Sequence, residues 1–198
     1  MATGEPESVE SALLTHSSGI AVLLAPPTPE VSDVIPPAYL RGVLGRLRAS
    51  YDLVVVDAWP WFNETTLAML DVADVILVVL TLEITNIKDT RQFLELAGQL
   101  GYEDHKVRLV LNRADSALGI RPADVEQSIG RKIDHSIVSD GRSVVYALNR
   151  GVPFVVSNRE AQVSQDIARI ARAVTEDEVL VATPTTKAAP RKALFARR

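Results

Sequence analysis

Two groups of polar side chains come directly after apolar runs of the sequence. Asp57 follows the run LVVV, and Asn112, Arg113 and Asp115 follow the run LVL. An acid at the carboxyl end of a buried parallel strand lies where α/β sheets bind ligands, and in nucleotide-hydrolysing folds it holds a water on Mg²⁺. A side-chain amide can read a purine edge while a neighbouring arginine stacks on the ring. Both groups therefore point to nucleotide binding.

Each group also has a purely structural interpretation. Asp57 is equally compatible with a turn or a helix-capping acid, and Asn112 with an Asx turn after a strand. The spacing of Asn112, Arg113 and Asp115 superficially matches the Asn-Lys-x-Asp pattern that reads guanine. However, Asp57 is followed by Ala-Trp-Pro and not by the x-x-Gly of G proteins, which disfavours a GTPase.

Short β-branched runs alternate with longer amphipathic stretches, and these elements must position the polar groups. The runs predict strands at residues 20–24, 53–57, 75–80, 107–112, 136–138 and 153–156. The amphipathic stretches predict helices at 38–48, 64–70, 86–100, 122–129 and 141–149, with a final helix whose apolar face runs from Val163 to Val174. Strands 53–57 and 75–80 are continuously apolar, which is typical of strands covered on both faces. The alternation predicts a three-layer α/β fold, in which a mostly parallel sheet lies between helices.

The composition excludes several classes of protein. The 198 residues are 47% hydrophobic, carry a net charge of −4 and include no cysteine. Such a chain builds a core without disulfides, and it has neither zinc–thiolate sites nor a cysteine nucleophile. The acidic balance disfavours nucleic-acid binding, and the scattered histidines do not predict a metal site. Residues 1–10 are polar and unlike a signal peptide, so we expect the protein in the cytoplasm.

Taken together, these segments resemble the ParA/MinD family of deviant Walker-type ATPases, and within it the CpaE/TadZ branch of pilus-assembly and localisation proteins. The resemblance covers residues 11–175 and rests on the order of the stretches HSSGIAVLLAPPTPE, YDLVVVDAWPWFN, KVRLVLNRAD and DGRSVVYALNRGVPFV. It implies a SIMIBI-class P-loop NTPase-like fold, ATP or ADP with Mg²⁺ as ligands, and a homodimer that encloses the nucleotide. It also implies a positional switch acting at the inner membrane or a cell pole.

The resemblance assigns roles to individual residues. Asp57 is similar to the Walker B aspartate, which contacts Mg²⁺ through a water, and the loop after it is similar to switch II. Asn112 and Arg113 resemble the pair that contacts adenine. Asp140 lies in the loop 139–142, which resembles the segment bordering the base. Where relatives often have Asp-Thr-Pro-Pro, this chain has Asp-Ala-Trp-Pro and so lacks a hydroxyl near the phosphates.

The phosphate loop of that family has no counterpart in this sequence. None of the ten glycines is followed by lysine. Backbone N–H groups and a lysine surround the phosphates in such a loop, and side chains elsewhere rarely replace them. We therefore expect that the chain alone does not hydrolyse ATP. Two alternatives stay open: a degenerate relative that acts through protein association, and the carboxyl-terminal part of an ATPase whose phosphate loop lies upstream.

The absent loop also affects the expected organisation of the chain. In the family its strand lies beside the Walker B strand, so strand 53–57 must pair directly with strand 75–80, or another chain must fill the gap. We expect a polar extension at residues 1–10, a partial ParA/MinD-like domain at 11–175 and a flexible basic tail at 176–198.

The expected partners are a second copy of the chain or another protein. Trp59, Trp61 and Phe62 crowd the loop after Asp57, where exposed aromatic side chains would form an anchor for a partner. The basic tail predicts at most a weak, salt-sensitive contact with an anionic membrane, because it has too few apolar residues for a firm anchor.

Overall fold

The structure is a computed structural model that describes residues 9–26, 35–60, 62–116, 119–181 and 192–197. The chain divides into two compact units, one of Met1–Ala73 with Pro184–Arg198 and the other of Asp74–Thr183. A short 3-10 helix, Val9–Ala12, comes first. The strands are β1 (Leu14–Thr15), β2 (Ala21–Leu24), β3 (Tyr51–Val56), β4 (Ile76–Leu80), β5 (Val107–Asn112), β6 (His135–Ile137) and β7 (Lys192–Arg197). The helices are α1 (Pro37–Ser50), α2 (Glu64–Val72), α3 (Ile84–Gln99), α4 (Pro122–Ile129), α5 (Gly141–Arg150), α6 (Phe154–Ser157) and α7 (Gln162–Val181). In its described residues, none of these helices is long and apolar enough to cross a membrane.

The first unit is built on a sheet with the strand order β1-β2-β7-β3. β1 and β2 form an antiparallel hairpin, whose turn contains Gly19 at a φ of 90°, a backbone conformation that favours glycine. β2, β7 and β3 run parallel to one another. Val43 and Leu47 of α1 form a buried cluster with Val9, against which Val54 of β3 packs. The apolar face of α1 therefore covers this sheet.

The strand β7 corrects the expectation of a flexible tail at residues 176–198. It lies between β2 and β3, where Phe195 is in register with Val22 on one side and Val55 on the other. β2 and β3 are not neighbours, so each needs a partner for its backbone N–H and C=O groups, and β7 supplies both. α7 also continues to Val181, past the predicted end of the domain at residue 175.

The second unit is built on a parallel sheet with the order β4-β5-β6. Leu109 and Leu111 of β5 pack in one cluster with Val125 of α4, whereas Val110 packs in another cluster with Ile170 of α7. Because successive side chains of a strand point to opposite faces, helices cover both faces of β5. The predicted α/β class, with parallel strands flanked by helices, is confirmed.

One expectation for the apolar strands is wrong. Leu77 and Val79 of β4 are exposed, Val79 by 58%, so strand 75–80 is not covered on both faces. Of the two alternatives for strand 53–57, direct pairing with strand 75–80 is absent among the described residues, where β3 and β4 belong to different sheets. Each of these two strands is an end strand of its own sheet.

Residues 153–156 form part of a short helix and not the predicted strand. Pro153 precedes α6 with a φ of −56°, and its carbonyl accepts hydrogen bonds from the N–H groups of Val156 and Ser157 at 2.9 and 3.1 Å. Proline is well suited to the start of a helix because its φ is already close to the helical value. This local effect outweighs the strand preference of the two valines, which remain exposed.

Replacing Phe195 by proline tests whether β7 joins β2 to β3. Proline lacks a backbone N–H and is confined to edge strands, so we expect Phe195→Pro to lower the free energy of unfolding of the first unit by about 1–3 kcal/mol. Hydrogen–deuterium exchange would show faster exchange of the backbone amides of β2 and β3, with β4, β5 and β6 unchanged. The control Phe195→Val keeps the N–H group and is expected to keep the protection. Unchanged protection in the proline variant would contradict the pairing.

Candidate functional site

The carboxyl end of β5 positions Asn112 and Arg113. Asn112 is half-buried, and Arg113 follows it at a φ of 54°, in the left-handed region that residues other than glycine rarely adopt. The N–H of Arg113 donates to Oδ1 of Asn112 at 3.0 Å, and the N–H of Ser116 donates to the carbonyl of Arg113 at 3.0 Å. The turn thus fixes the Asn112 carboxamide at the end of the strand, while the Arg113 side chain is exposed.

Two hydrogen bonds join this turn to the loop that follows β6. The N–H of Ala114 donates to the carbonyl of Ile137 at 3.0 Å, and the N–H of Ser139 donates to Oδ1 of Asp115 at 2.6 Å. The Asp115 side chain therefore connects the turn after β5 to the backbone of the loop after β6. The structure brings Asn112, Arg113 and the loop with Asp140 together at one edge of the second sheet.

Asp140 caps helix α5. Its Oδ1 accepts a hydrogen bond from the N–H of Ser143 at 2.9 Å, and its carbonyl accepts one from the N–H of Val144 at 3.1 Å. The hydrogen bonds from Ser143 hold the pKa of Asp140 below its ordinary value, and the carboxylate lies at the positive end of the helix dipole. The carboxylate that the family resemblance places beside a base therefore has a structural role in its loop.

Asp166 of α7 is a buried acid that holds the same loop from the opposite side. It is 2% exposed, and it accepts hydrogen bonds from the N–H of Val138 at 2.9 Å, from Gln162 at 2.8 Å and from the guanidinium of Arg169. Burial alone would raise the pKa of Asp166. The hydrogen bonds from Val138 and Gln162 and the charge of Arg169 outweigh burial, so the pKa is lowered.

Asp57 lies in the other unit, directly after β3, and its side chain is exposed. The helix-capping interpretation of Asp57 is wrong, because α2 is capped by Asn63, whose Oδ1 accepts a backbone N–H of that helix at 2.8 Å. Trp59 and Phe62 are exposed, Trp59 by 54%. Trp61 lies outside the described residues.

The loops that connect each strand to the following helix do not fit the phosphates of ATP. Such a loop needs several backbone N–H groups turned toward the anion and a lysine beside them. No lysine occurs in residues 25–36, 57–63, 81–83, 113–121 or 138–140, and Gly119 is the one glycine among these positions. In the described part of the chain, no group of three or more acids and histidines suits a metal ion. Arg113 and Arg121 are the only basic residues at these positions, so the loops contain no lysine for the phosphates of ATP.

A curated relative matches most of the chain. The septum site-determining protein MinD of Thermotoga maritima is 21% identical over 178 residues, a match that covers 87% of this chain and 65% of that protein. The chain therefore spans somewhat less than two thirds of the length of this relative. No protein-family model matches it.

Solved structures share the fold. A ParA family ATPase from Chlorobium tepidum has a TM-score of 0.74 and 22% identity, covering 83% of this chain and 67% of that one. MinD of Pyrococcus horikoshii, complexed with Mg-ADP, has a TM-score of 0.73 and 18% identity over 89% of this chain and 72% of that one. The MinC:MinD cell division protein complex of Aquifex aeolicus has a TM-score of 0.69 and 20% identity, covering 94% of this chain and 72% of that one. At 18–22% identity, these structures show that the chain has the fold of ParA and MinD proteins.

The sequence analysis missed Asp166, although a signal for it exists. Asp166 lies three residues after Val163 and four before Ile170, both of which are buried on the apolar face of α7. A single acid on the buried face of an amphipathic helix must be paired, because burying an unpaired charge is costly. The pattern therefore indicates a partner for Asp166, but the sequence does not show that this partner is the loop after β6.

Replacing Asp166 by asparagine tests its role in holding this loop. Because the folded-state pKa is lowered, Asp166 stabilises the fold above the ordinary aspartate pKa of about 3.9 and loses this effect as the pH falls below it. We expect Asp166→Asn to lower the free energy of unfolding by about 1–3 kcal/mol at neutral pH and to make the loss of stability in acid less steep.

Urea unfolding at a series of pH values measures both effects. The exposed Asp89 of α3 provides the control Asp89→Asn, which is expected to keep the wild-type stability and pH dependence. An Asp166→Asn variant that also behaves like the wild type would contradict the role assigned to Asp166.

Proposed function

We propose that this chain is a ParA/MinD-like localisation or pilus-assembly protein that acts through association with other proteins and does not hydrolyse ATP alone. The observation that carries the proposal is the absence of lysine from every loop that leads from a strand to the next helix. Arg113 and Arg121 are the only basic residues in these loops, so the lysine that stabilises the γ-phosphate in a phosphate loop has no counterpart there. The proposed place of action, by the family resemblance, is the inner membrane or a cell pole.

The arrangement after β5 supports a site that faces a base and not a phosphate. Arg113 keeps a left-handed backbone that costs a non-glycine residue about 1 kcal/mol or more. The hydrogen bonds to Ile137 and from Ser139 hold this turn in place. Strained backbone that the surroundings hold is typical of functional sites. Asn112 and Arg113 are the residues that we propose to contact a nucleotide base, if a nucleotide binds.

The alternative is that the chain is part of a longer ATPase. It spans 65% of the length of the Thermotoga MinD, so a phosphate loop upstream is compatible with that comparison. The exposed Asp57 at the carboxyl end of β3 favours this alternative, because a Walker B aspartate needs that position to reach Mg²⁺ through a water. In that case Asp57, Asn112 and Arg113 would act together with lysines located upstream. A homodimer around the nucleotide would follow.

Incubating the purified chain with labelled ATP and Mg²⁺ tests the proposal directly. We expect neither micromolar binding by filter retention nor release of phosphate above the rate without protein, because the phosphates lack a cradle. Micromolar binding with turnover would overturn the proposal. A glycine-rich motif with two lysines in the upstream reading frame would favour the alternative.

If such an upstream segment exists, the longer chain tests the base contact. We expect Asn112→Ala to raise the Kd for ATP about tenfold, since a lost hydrogen bond to the base is worth roughly 1 kcal/mol or slightly more. The exposed Asn149 of α5 supplies the matched control Asn149→Ala, which is expected to leave the Kd unchanged. Equal Kd values for the wild type and Asn112→Ala would remove Asn112 from the site.

A further inference from the structure

An acidic, aromatic loop follows β3. We use the name aromatic loop for residues 57–64, which contain Asp57 and Glu64 and no basic residue. The sequence around it also has only negative charges, because residues 49–87 include six acids but neither lysine nor arginine. Trp59 and Phe62 are both exposed in this loop. Exposed aromatic side chains with acids beside them form a surface suited to a partner that is both apolar and basic.

Helices α5 and α6 carry a surface of the opposite charge. We use the name arginine surface for residues 141–159, which contain Arg142, Arg150 and Arg159 and no acid. Large apolar side chains are exposed on the same segment, and Leu148 is 66% exposed. The other exposed apolar residues of this surface are Val145, Tyr146, Val152, Val155 and Val156. Exposed apolar side chains with arginines beside them are typical of a binding surface.

A cavity within the arginine surface provides room for one large side chain. Its volume is about 290 Å³, and Tyr146, Arg150 and Phe154 are among the residues that line it. The Arg150 guanidinium lies 5.2 Å from the centre of the Tyr146 ring and donates to its hydroxyl at 2.5 Å. Arg150 is therefore already held in place at the cavity, so an aromatic side chain or a carboxylate that enters meets a preorganised cation.

We propose that the aromatic loop of one copy of this chain docks on the arginine surface of a second copy. The inference rests on the proposed function, in which the chain acts through association, and it names the partner. Contacts between two arginine surfaces, or between two aromatic loops, would place like charges together, whereas the contact between unlike surfaces joins opposite charges and apolar areas. Such a contact either closes a dimer, when the loop of each copy reaches the surface of the other, or continues head-to-tail through further copies.

Sedimentation velocity of the full chain tests this contact. We expect the average mass to rise with protein concentration above that of a monomer, and to fall in roughly 1 M salt, where charges are screened within about 3 Å. Trp59→Ala is expected to weaken the association at least tenfold, because a buried tryptophan is a typical hot spot. A wild-type chain that stays monomeric at every concentration would overturn the proposal.

Charge reversal separates this contact from unspecific association. The surface variant carries Arg142→Glu and Arg150→Glu, and the loop variant carries Ala58→Lys and Glu64→Lys, with Asp57 left intact. Each variant alone brings like charges together, so we expect both to be monomeric. An equal mixture is expected to associate, because the reversed surface of one variant attracts the reversed loop of the other and the native pair also remains.

A control variant with the same loss of positive charge is Arg46→Glu with Arg172→Glu, both exposed and outside the two surfaces. We expect it to associate like the wild type, and circular dichroism confirms that each variant is folded. Association of the surface variant alone, or failure of the mixture to associate, would overturn the proposal. So would a monomeric wild type whose arginine surface instead binds phosphatidylserine vesicles.

The two proposals fail in different measurements. A monomeric wild type overturns the contact between copies but leaves the proposed function open to another protein partner. Turnover of ATP by the chain overturns the proposed function, whatever the sedimentation result.

Discussion

The first unit depends on the requirement that every buried backbone N–H and C=O group has a partner. β2 and β3 are separated by one strand position, and β7, which is distant in the sequence, occupies it with parallel pairing on both sides. The carboxyl end of β3 carries Asp57 and the aromatic loop, so the position of both depends on the register that β7 imposes. A local interaction cannot replace this pairing, because the hairpin of β1 and β2 reaches only one edge of β2.

In the second unit, a different interaction holds the strands and loops in place. Its three strands are consecutive in the sequence, and the crossover helices α3 and α4 cover one face of β5. Its loops are then fixed by acids that bind backbone N–H groups: Asp115 to Ser139, Asp140 to Ser143 and Asp166 to Val138. The N–H groups of Val138 and Ser139 lie beyond the end of β6, and that of Ser143 lies in the first turn of α5, so the carboxylates pair donors that the sheet and the helix leave unpaired.

The comparison of sequence and structure shows which signals are local. The helix at 122–129 and the strand at 107–112 have the predicted bounds, because proline at the first turn, glycine after the last and a continuous apolar run act within a few residues. The strand predicted at residues 153–156 is wrong, because hydrogen bonds to the carbonyl of Pro153 outweigh the strand preference of two valines. The strand β7 and the hydrogen bond from Val138 to Asp166 were missed for another reason: these partners are distant in the sequence, and no periodicity reveals a distant partner. Asn112 and Asp140 were found as candidates, but not the hydrogen bonds that fix them.

The division of polar groups along the chain explains why association is the better proposal than catalysis. Stabilising a phosphoryl transition state needs positive charge beside the phosphates, and the loops that lead from a strand into a helix hold Arg113 and Arg121 but no lysine. Arg142 and Arg150 belong to a helix with exposed apolar side chains, so their charge is directed to a macromolecular surface. Residues 49–87 contain six of the 25 acids of the chain and no basic residue. A fold that keeps unlike charges on separate exposed segments favours contacts between molecules over chemistry inside one.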